Sequence, residues 1–171
     1  ILYNINGTVN VGLRLFNEGM NSFKKALKIK PDYIEVYNNM GIAFKDQGDQ
    51  EKAIKSFKQV IKINPSFYEA YNNMGIALKG QGDQEKAIKS FKQAIEIKPD
   101  FYEAYNNIGV VLKDQGDQEK AIENYEHAVK IKPDYVEAYY NMGNAFKTQG
   151  KLEGAIEAYK KAVSIDPNYF K

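Results

Sequence analysis

Residues 34–67 read IEVYNNMGIAFKDQGDQEKAIKSFKQVIKINPSF, and the rest of the chain is largely copies of this stretch. Pro65 belongs to a series, Pro31, Pro65, Pro99, Pro133 and Pro167, spaced 34 residues apart. Gly41 returns as Gly75, Gly109 and Gly143; Ala53 returns as Ala87, Ala121 and Ala155; and an aromatic recurs at Phe57, Phe91, Tyr125 and Tyr159. The octapeptide QGDQEKAI stands at 47–54, 81–88 and 115–122 and becomes QGKLEGAI at 149–156. A period between 20 and 50 residues marks a solenoid, whose units are each too small to bury their own apolar face and must stack on neighbours.

Within one unit the apolar spacing predicts two helices. Val36, Tyr37, Met40, Ala43 and Phe44 share one face at helical spacing, and Ala53, Ile54, Phe57, Val60 and Ile61 share another. Gly48 ends the first helix because glycine enters the left-handed region without steric penalty. Asp49 caps the second, with Glu51 in the first turn where the helix dipole favours an anion. Proline cannot continue a helix, so Pro65 closes the unit. Ser66 with Glu69 has the spacing of a capping box, repeated as Asp32/Glu35, Asp100/Glu103 and Asp134/Glu137. These signals predict first helices near 34–46, 68–80, 102–114 and 136–148, and second helices near 50–62, 84–96, 118–130 and 152–164.

Numbered from Ile34 as position 1, the first unit places Tyr37, Met40, Gly41, Phe44, Ala53, Phe57, Val60 and Pro65 at positions 4, 7, 8, 11, 20, 24, 27 and 32. The later units supply Tyr71, Met74, Gly75, Leu78, Ala87, Phe91, Ala94 and Pro99, then Tyr105, Ile108, Gly109, Leu112, Ala121, Tyr125, Ala128 and Pro133. The last supplies Tyr139, Met142, Gly143, Phe146, Ala155, Tyr159, Ala162 and Pro167. The pattern over 34–167 resembles the tetratricopeptide repeat (TPR) family. The resemblance implies an all-α, right-handed superhelical solenoid of antiparallel helix pairs, with units at 34–67, 68–101, 102–135 and 136–171. Residues 1–33 are expected to be a degenerate repeat or half-repeat: Tyr3, Gly7, Phe23, Ala26 and Pro31 fit, but Gly19 stands where alanine is expected. Its first helix contains INGTVNVG, poor helix-forming material, so fraying is expected there, with a sound second helix over about 17–29. The missing initial Met and the end at Lys171, where another unit would begin, lead us to expect a fragment.

The resemblance also implies that first helices line a concave groove, and positions 2, 5, 6, 9, 12 and 13 face away from the core stripe as 100° per residue requires. Position 5 holds Asn38, Asn72, Asn106 and then Tyr140; position 6 holds Asn39, Asn73, Asn107 and Asn141. Position 9 holds Ile42, Ile76, Val110 and then Asn144, and position 12 holds Lys45, Lys79, Lys113 and Lys147. Each asparagine in a helix interior loses roughly 0.5 kcal/mol relative to alanine, so the seven lose about 3–4 kcal/mol together, comparable to a domain's net stability. Something should offset that. A carboxamide pairs with both the N–H and C=O of an extended chain, a row resembling the asparagine ladder of the superhelical repeat domain in O-linked N-acetylglucosamine transferase. The alternative is that each asparagine bonds a neighbouring helix or water. The position-2 glutamates are accounted for by capping, the lysines by a solvated edge or an acidic ligand, and the position-9 residues by a ligand pocket or by packing between units. His127 is expected to be an exposed bystander.

The function expected is a scaffold or adaptor that binds an extended peptide segment of a partner protein in an Asn-lined groove. The alternatives are the substrate-recognition arm of a larger enzyme such as a glycosyltransferase, or a structural element that self-associates through an uncovered C-terminal helix. The family's carboxylate clamp is not matched, since position 5 is Asn or Tyr, position 2 is Glu, and Arg14 is the one arginine. No Cys, one His, no phosphate loop and no metal spacing leave no catalytic constellation, cofactor or metal to expect. A net charge of +2 with interleaved Glu and Lys builds no basic stripe for nucleic acid. No run of about 20 apolar residues predicts membrane insertion, and no secretory signal leads the chain, so a cytoplasmic location is expected.

Overall fold

The computed structural model describes residues 1–169. These form ten α-helices and no strand among the described residues: α1 (Leu2–Gly12), α2 (Phe16–Ile29), α3 (Ile34–Asp46), α4 (Gln50–Ile63), α5 (Tyr68–Gly80), α6 (Gln84–Ile97), α7 (Tyr102–Asp114), α8 (Gln118–Ile131), α9 (Val136–Thr148) and α10 (Leu152–Ile165). Residues 170 and 171, within the last expected unit, lie outside the described set. The chain forms two compact units, Ile1–Ser90 and Phe91–Lys171, divided within α6.

In the first unit, α1 pairs with α2 and α3 with α4, α4 packs on α5, and the first helices α1, α3 and α5 touch in succession. Part of its core is Met20, Phe23, Ala26, Val36 and Ala43, with Val11, Phe16 and Phe44 packed against it. In the second, α7 pairs with α8 and α9 with α10, α8 packs on α9, and α7 touches α9. Ala121, Ile122, Tyr125 and Ala145 form a core flanked by Val110, Leu112, Met142 and Phe146.

The close approach inside the α1/α2, α3/α4, α7/α8 and α9/α10 hairpins comes from glycine. A Cβ on Gly41 would lie 2.5 Å from the Phe57 ring, and Gly109 and Gly143 meet Tyr125 and Tyr159 in the same way. The partner of this glycine is therefore the position-24 ring, and any larger side chain would hold the helices apart. The same contact explains why residues 2–12 are helical where their propensity predicts fraying. Gly7 lies on the Phe23 ring and Gly19 against Val11 and the Gly7 carbonyl, so α1 and α2 close tightly, and tertiary packing outweighs the local deficit.

The turns that lead into α4, α6 and α8 satisfy both helix ends. Asp49 N–H donates to the Phe44 carbonyl and Gly48 N–H to that of Lys45, a Schellman closure with Gly48 at φ +79°. The Asp49 side chain then accepts from Lys52 N–H to start α4, and Asp83 and Asp117 repeat this on α6 and α8. These three carboxyls are held below the ordinary 3.8, first by hydrogen bonds from the side chains of Lys52, Lys86 and Lys120 and then by their backbone N–H groups. Since the folded pKa is depressed, what the caps contribute is present above about pH 4 and is lost on acidification. Lys151 at the same place gives α10 no side-chain cap.

The capping boxes expected at Asp32/Glu35, Ser66/Glu69, Asp100/Glu103 and Asp134/Glu137 do not form. The N-cap residues are Tyr33, Phe67, Phe101 and Tyr135, without side-chain cap bonds. The turn after each proline extends one residue further than the pattern assumes, leaving the polar residue outside the helix, and an aromatic is needed there for packing rather than capping.

The α1–α2 turn repeats the Schellman pattern, with Arg14 N–H donating to the Val11 carbonyl and Leu15 N–H to that of Asn10, but Arg14 sits at φ +63° where the other hairpins use glycine. A left-handed arginine is penalised by roughly 1–2 kcal/mol, partly recovered by glycine's greater unfolded-state freedom. Arg14→Gly should therefore raise the unfolding free energy by about 1 kcal/mol. Urea denaturation followed by circular dichroism tests this; an unchanged or lower midpoint would contradict it.

Candidate functional site

The positions singled out in the sequence lie on the first helices α3, α5, α7 and α9. In the first unit, Asn39 Nδ2 donates to Asn4 Oδ1 at 3.0 Å and to Thr8 Oγ1 at 3.2 Å, tying α3 to α1. In the second, Asn141 Nδ2 donates to Asn106 Oδ1 at 3.1 Å, tying α9 to α7. Asn4 and Asn106 are both position-5 residues, so a position-6 amide reaches back to the position-5 amide of the preceding first helix. These asparagines brace neighbouring helices, and Asn106, only 1% exposed, is out of a guest's reach.

Asn106 anchors a longer network. Its Nδ2 donates to Glu137 Oε1 at 3.2 Å, while Tyr135 Oη donates to Glu137 Oε2 at 3.1 Å. Tyr135 meets the Tyr102 ring edge-on at 4.8 Å, and Lys132 Nζ donates to Tyr102 Oη at 3.1 Å while lying 4.7 Å from that ring's centre. Burial, then the charge of Glu137, raises the Tyr135 hydroxyl far above its usual range, and the Tyr102 hydrogen bond raises Lys132. Both keep their protons at neutral pH. Sequence reasoning did not find this cluster; the available signal was Tyr102 opening a first helix with Lys132 thirty residues on, just before Pro133.

Between α3 and α5 the ladder is open. Asn38 Oδ1 is buried without a hydrogen-bond partner, and Asn73, half-buried, makes no hydrogen bond in the structure. Asn72 is buried and Asn107 half-buried, and both have partners. Glu103 Oε2 is a further buried acceptor without a partner.

Of the position-9 residues, Val110 packs against the Tyr125 cluster, while Ile42 and Ile76 are half-buried. The lysines are edge residues: Lys45 and Lys113 pair with neighbouring Asp46 and Asp114 at 3.6 Å, Lys79 is half-buried and Lys147 exposed. Such surface pairs contribute little. In the last hairpin the switched residues turn to the fold. Asn144 Oδ1 accepts from Tyr159 Oη at 2.8 Å, and the Tyr140 ring lies 6.0 Å from Tyr159 and 5.9 Å from Tyr169. His127 is exposed, stacked on Tyr105 at 5.4 Å. Among the described residues no group of His, Cys, Asp and Glu could hold a metal ion, and no helix is long and apolar enough to cross a membrane.

Helix pairs repeating every 34 residues, with first helices in lateral contact within each unit, define a helical repeat protein. The TPR repeat model matches residues 16–48, 41–82, 77–116 and 111–150, and the tetratricopeptide repeat model matches 136–169. The chain belongs to the tetratricopeptide repeat family, whose members are in general non-catalytic modules that bind protein or peptide partners. No curated protein sequence matches it. Among solved structures it is similar to MamA, at 29% identity over 94% of each chain with a TM-score of 0.82. It shares its fold with TTC0263, a thermophilic TPR protein of Thermus thermophilus, at 20% identity, TM-score 0.78, over 98% of this chain and 91% of that one. YrrB, described as a TPR protein with an unusual peptide-binding site, has the fold at 19% identity, TM-score 0.72, over 99% and 87%.

Tyr125 and Tyr159 make a matched pair for measurement. Tyr125 Oη is buried without a partner and its hydroxyl is pushed far up by burial, because Val110 stands where Asn144 serves Tyr159. A buried unmet hydroxyl costs roughly 1–3 kcal/mol, and a made bond contributes about 1 kcal/mol. Tyr125→Phe should be neutral to stabilising by about 1 kcal/mol, as Phe57 and Phe91 at the same position suggest, while Tyr159→Phe should destabilise by about 1 kcal/mol. Paired unfolding curves decide; a clear loss at Tyr125→Phe would contradict the assignment.

Proposed function

We propose that this chain is a protein-interaction scaffold that holds an extended segment of a partner protein against the face of its first helices, centred on α3 and α5. The observation that supports this reading is the gap in the amide ladder. Asn39 and Asn141 are closed by their neighbours, whereas Asn38 Oδ1 and the Asn73 amide are not. The half-buried Asn73 carboxamide, donor and acceptor in one group, matches the alternating N–H and C=O groups of an extended backbone, and Asn38 Oδ1, covered in the free chain, would join it after a side-chain rotation. Ile42, Ile76, Lys45 and Lys79 on the same helices would supply apolar and cationic contacts at its flanks. The printed description of YrrB as peptide-binding is consistent with this reading.

An array of overlapping short peptides displayed to the full chain would identify binders. Asn38→Ala with Asn73→Ala should weaken them by roughly tenfold or more, the loss of one to two good hydrogen bonds, with the helical circular dichroism kept. Binding that survives the double substitution would reject the α3/α5 site.

Association of two copies through α10 is a second reading, supported by Leu152, Ile156 and Val163, which are 64%, 53% and 43% exposed. Contiguous apolar surface of this kind favours association. Light scattering across a dilution series should then show a mass that rises with concentration, and a constant monomer mass would remove this reading.

A further inference from the structure

The last hairpin, α9/α10, departs from the three before it on the side of the second helices. Position 19 holds Lys52, Lys86 and Lys120 in α4, α6 and α8, each bonded through Nζ to the aspartate three residues earlier. In the first of these the ammonium also lies 5.5 Å from the centre of the Phe44 ring. A cation over an aromatic face is attracted by the ring's quadrupole, most strongly where water is partly excluded. At α10 the aspartate has become Lys151 and the lysine Gly154, yet the phenylalanine remains as Phe146. Gly154 rests against that ring, a Cβ there lying 3.2 Å from Phe146 Cγ. The aromatic surface has kept its place and lost its cation.

An opening remains beside it. A cavity of about 760 Å³ between α8, α9 and α10 is lined by Tyr139, Met142, Phe146 and Gly154 together with Glu126 and Glu157. The hollow lined by Lys55, Lys58, Leu78 and Asp83, where Lys86 is present, is about 400 Å³. The carboxylates are a local change as well. Positions 22 and 25 carry Lys55 and Lys58 in α4 and Lys89 and Lys92 in α6, but Glu123 and Glu126 in α8, and Glu157 at position 22 in α10. Lys160 and Lys161 share the lining, but both are exposed, and their long stems leave the ammonium groups in water.

We propose that this cavity binds a lysine side chain of a partner protein, with its ammonium over the Phe146 ring and paired with Glu157 or Glu126, in the manner of Lys52 over Phe44. The site is separate from the first-helix face, and its test does not depend on that reading. The probe is n-butylammonium, the lysine side chain in isolation, titrated into the full chain and followed by NMR, with n-butanol as the neutral control. Saturable shifts of the Phe146 ring protons are expected with the cation, and a response weaker by roughly fivefold or more with the alcohol. Lys151→Asp with Gly154→Lys rebuilds the Asp49/Lys52 arrangement inside the protein and should abolish the response. Glu126→Gln with Glu157→Gln, both at exposed positions, should weaken it severalfold and serves if the first variant does not fold. No saturable shift, an equal response to butanol, or binding unchanged in the folded variants would overturn the proposal.

Discussion

The structure depends on one contact, an aromatic ring lying directly on a helical glycine. Gly7 under Phe23, Gly41 under Phe57, Gly109 under Tyr125 and Gly143 under Tyr159 all leave room for a hydrogen and nothing larger, since a Cβ would come within 2.4–2.5 Å of the ring. This sets the separation of the two helices in a hairpin. It thereby decides which small residues, Ala43, Ala53, Val111 and Ala121 among them, end fully covered. A packed interior transmits such a constraint because it has little free volume to absorb a shift.

Helices held this closely bring polar side chains on adjacent first helices within bonding distance. The asparagine rows are unfavourable for helix formation by about 3–4 kcal/mol in sum, and inter-helix hydrogen bonds of about 0.5–1.5 kcal/mol each offset part of that. Asn39 on Asn4, and Asn141 on Asn106 with Glu137 behind it, are such bonds. The carboxamides therefore serve two ends. Some fix the stacking of neighbouring helices, while the half-buried Asn73 amide and the covered Asn38 Oδ1 make no hydrogen bond.

Departures from the repeat are informative because every other unit is a control. Asn144 replaces an aliphatic residue and gives the Tyr159 hydroxyl an acceptor, whereas Tyr125, beside Val110, has none. Lys151 and Gly154 stand where α4, α6 and α8 keep an aspartate–lysine pair, and a cavity lies against Phe146.

Helix positions were legible in the sequence because they follow from short-range rules: a left-handed glycine, an aspartate three residues from the N–H it caps, and a proline that stops the helix. The eight helices from α3 on fall where these signals place them, to within a residue at the ends of the second helices. The same reasoning misjudged the capping boxes and α1, and it left open whether the amides bond each other. Those outcomes are set by partners 16 to 35 residues away, Phe23 on Gly7 and Asn39 on Asn4, whose distances exist only once the hairpins have packed. The order of helices and the class of fold are thus properties of the chain read locally. Which carboxamides bond a neighbouring helix and which do not was decided by packing, because a hydrogen bond between helices depends on an ångström-scale separation that no spacing along the sequence records.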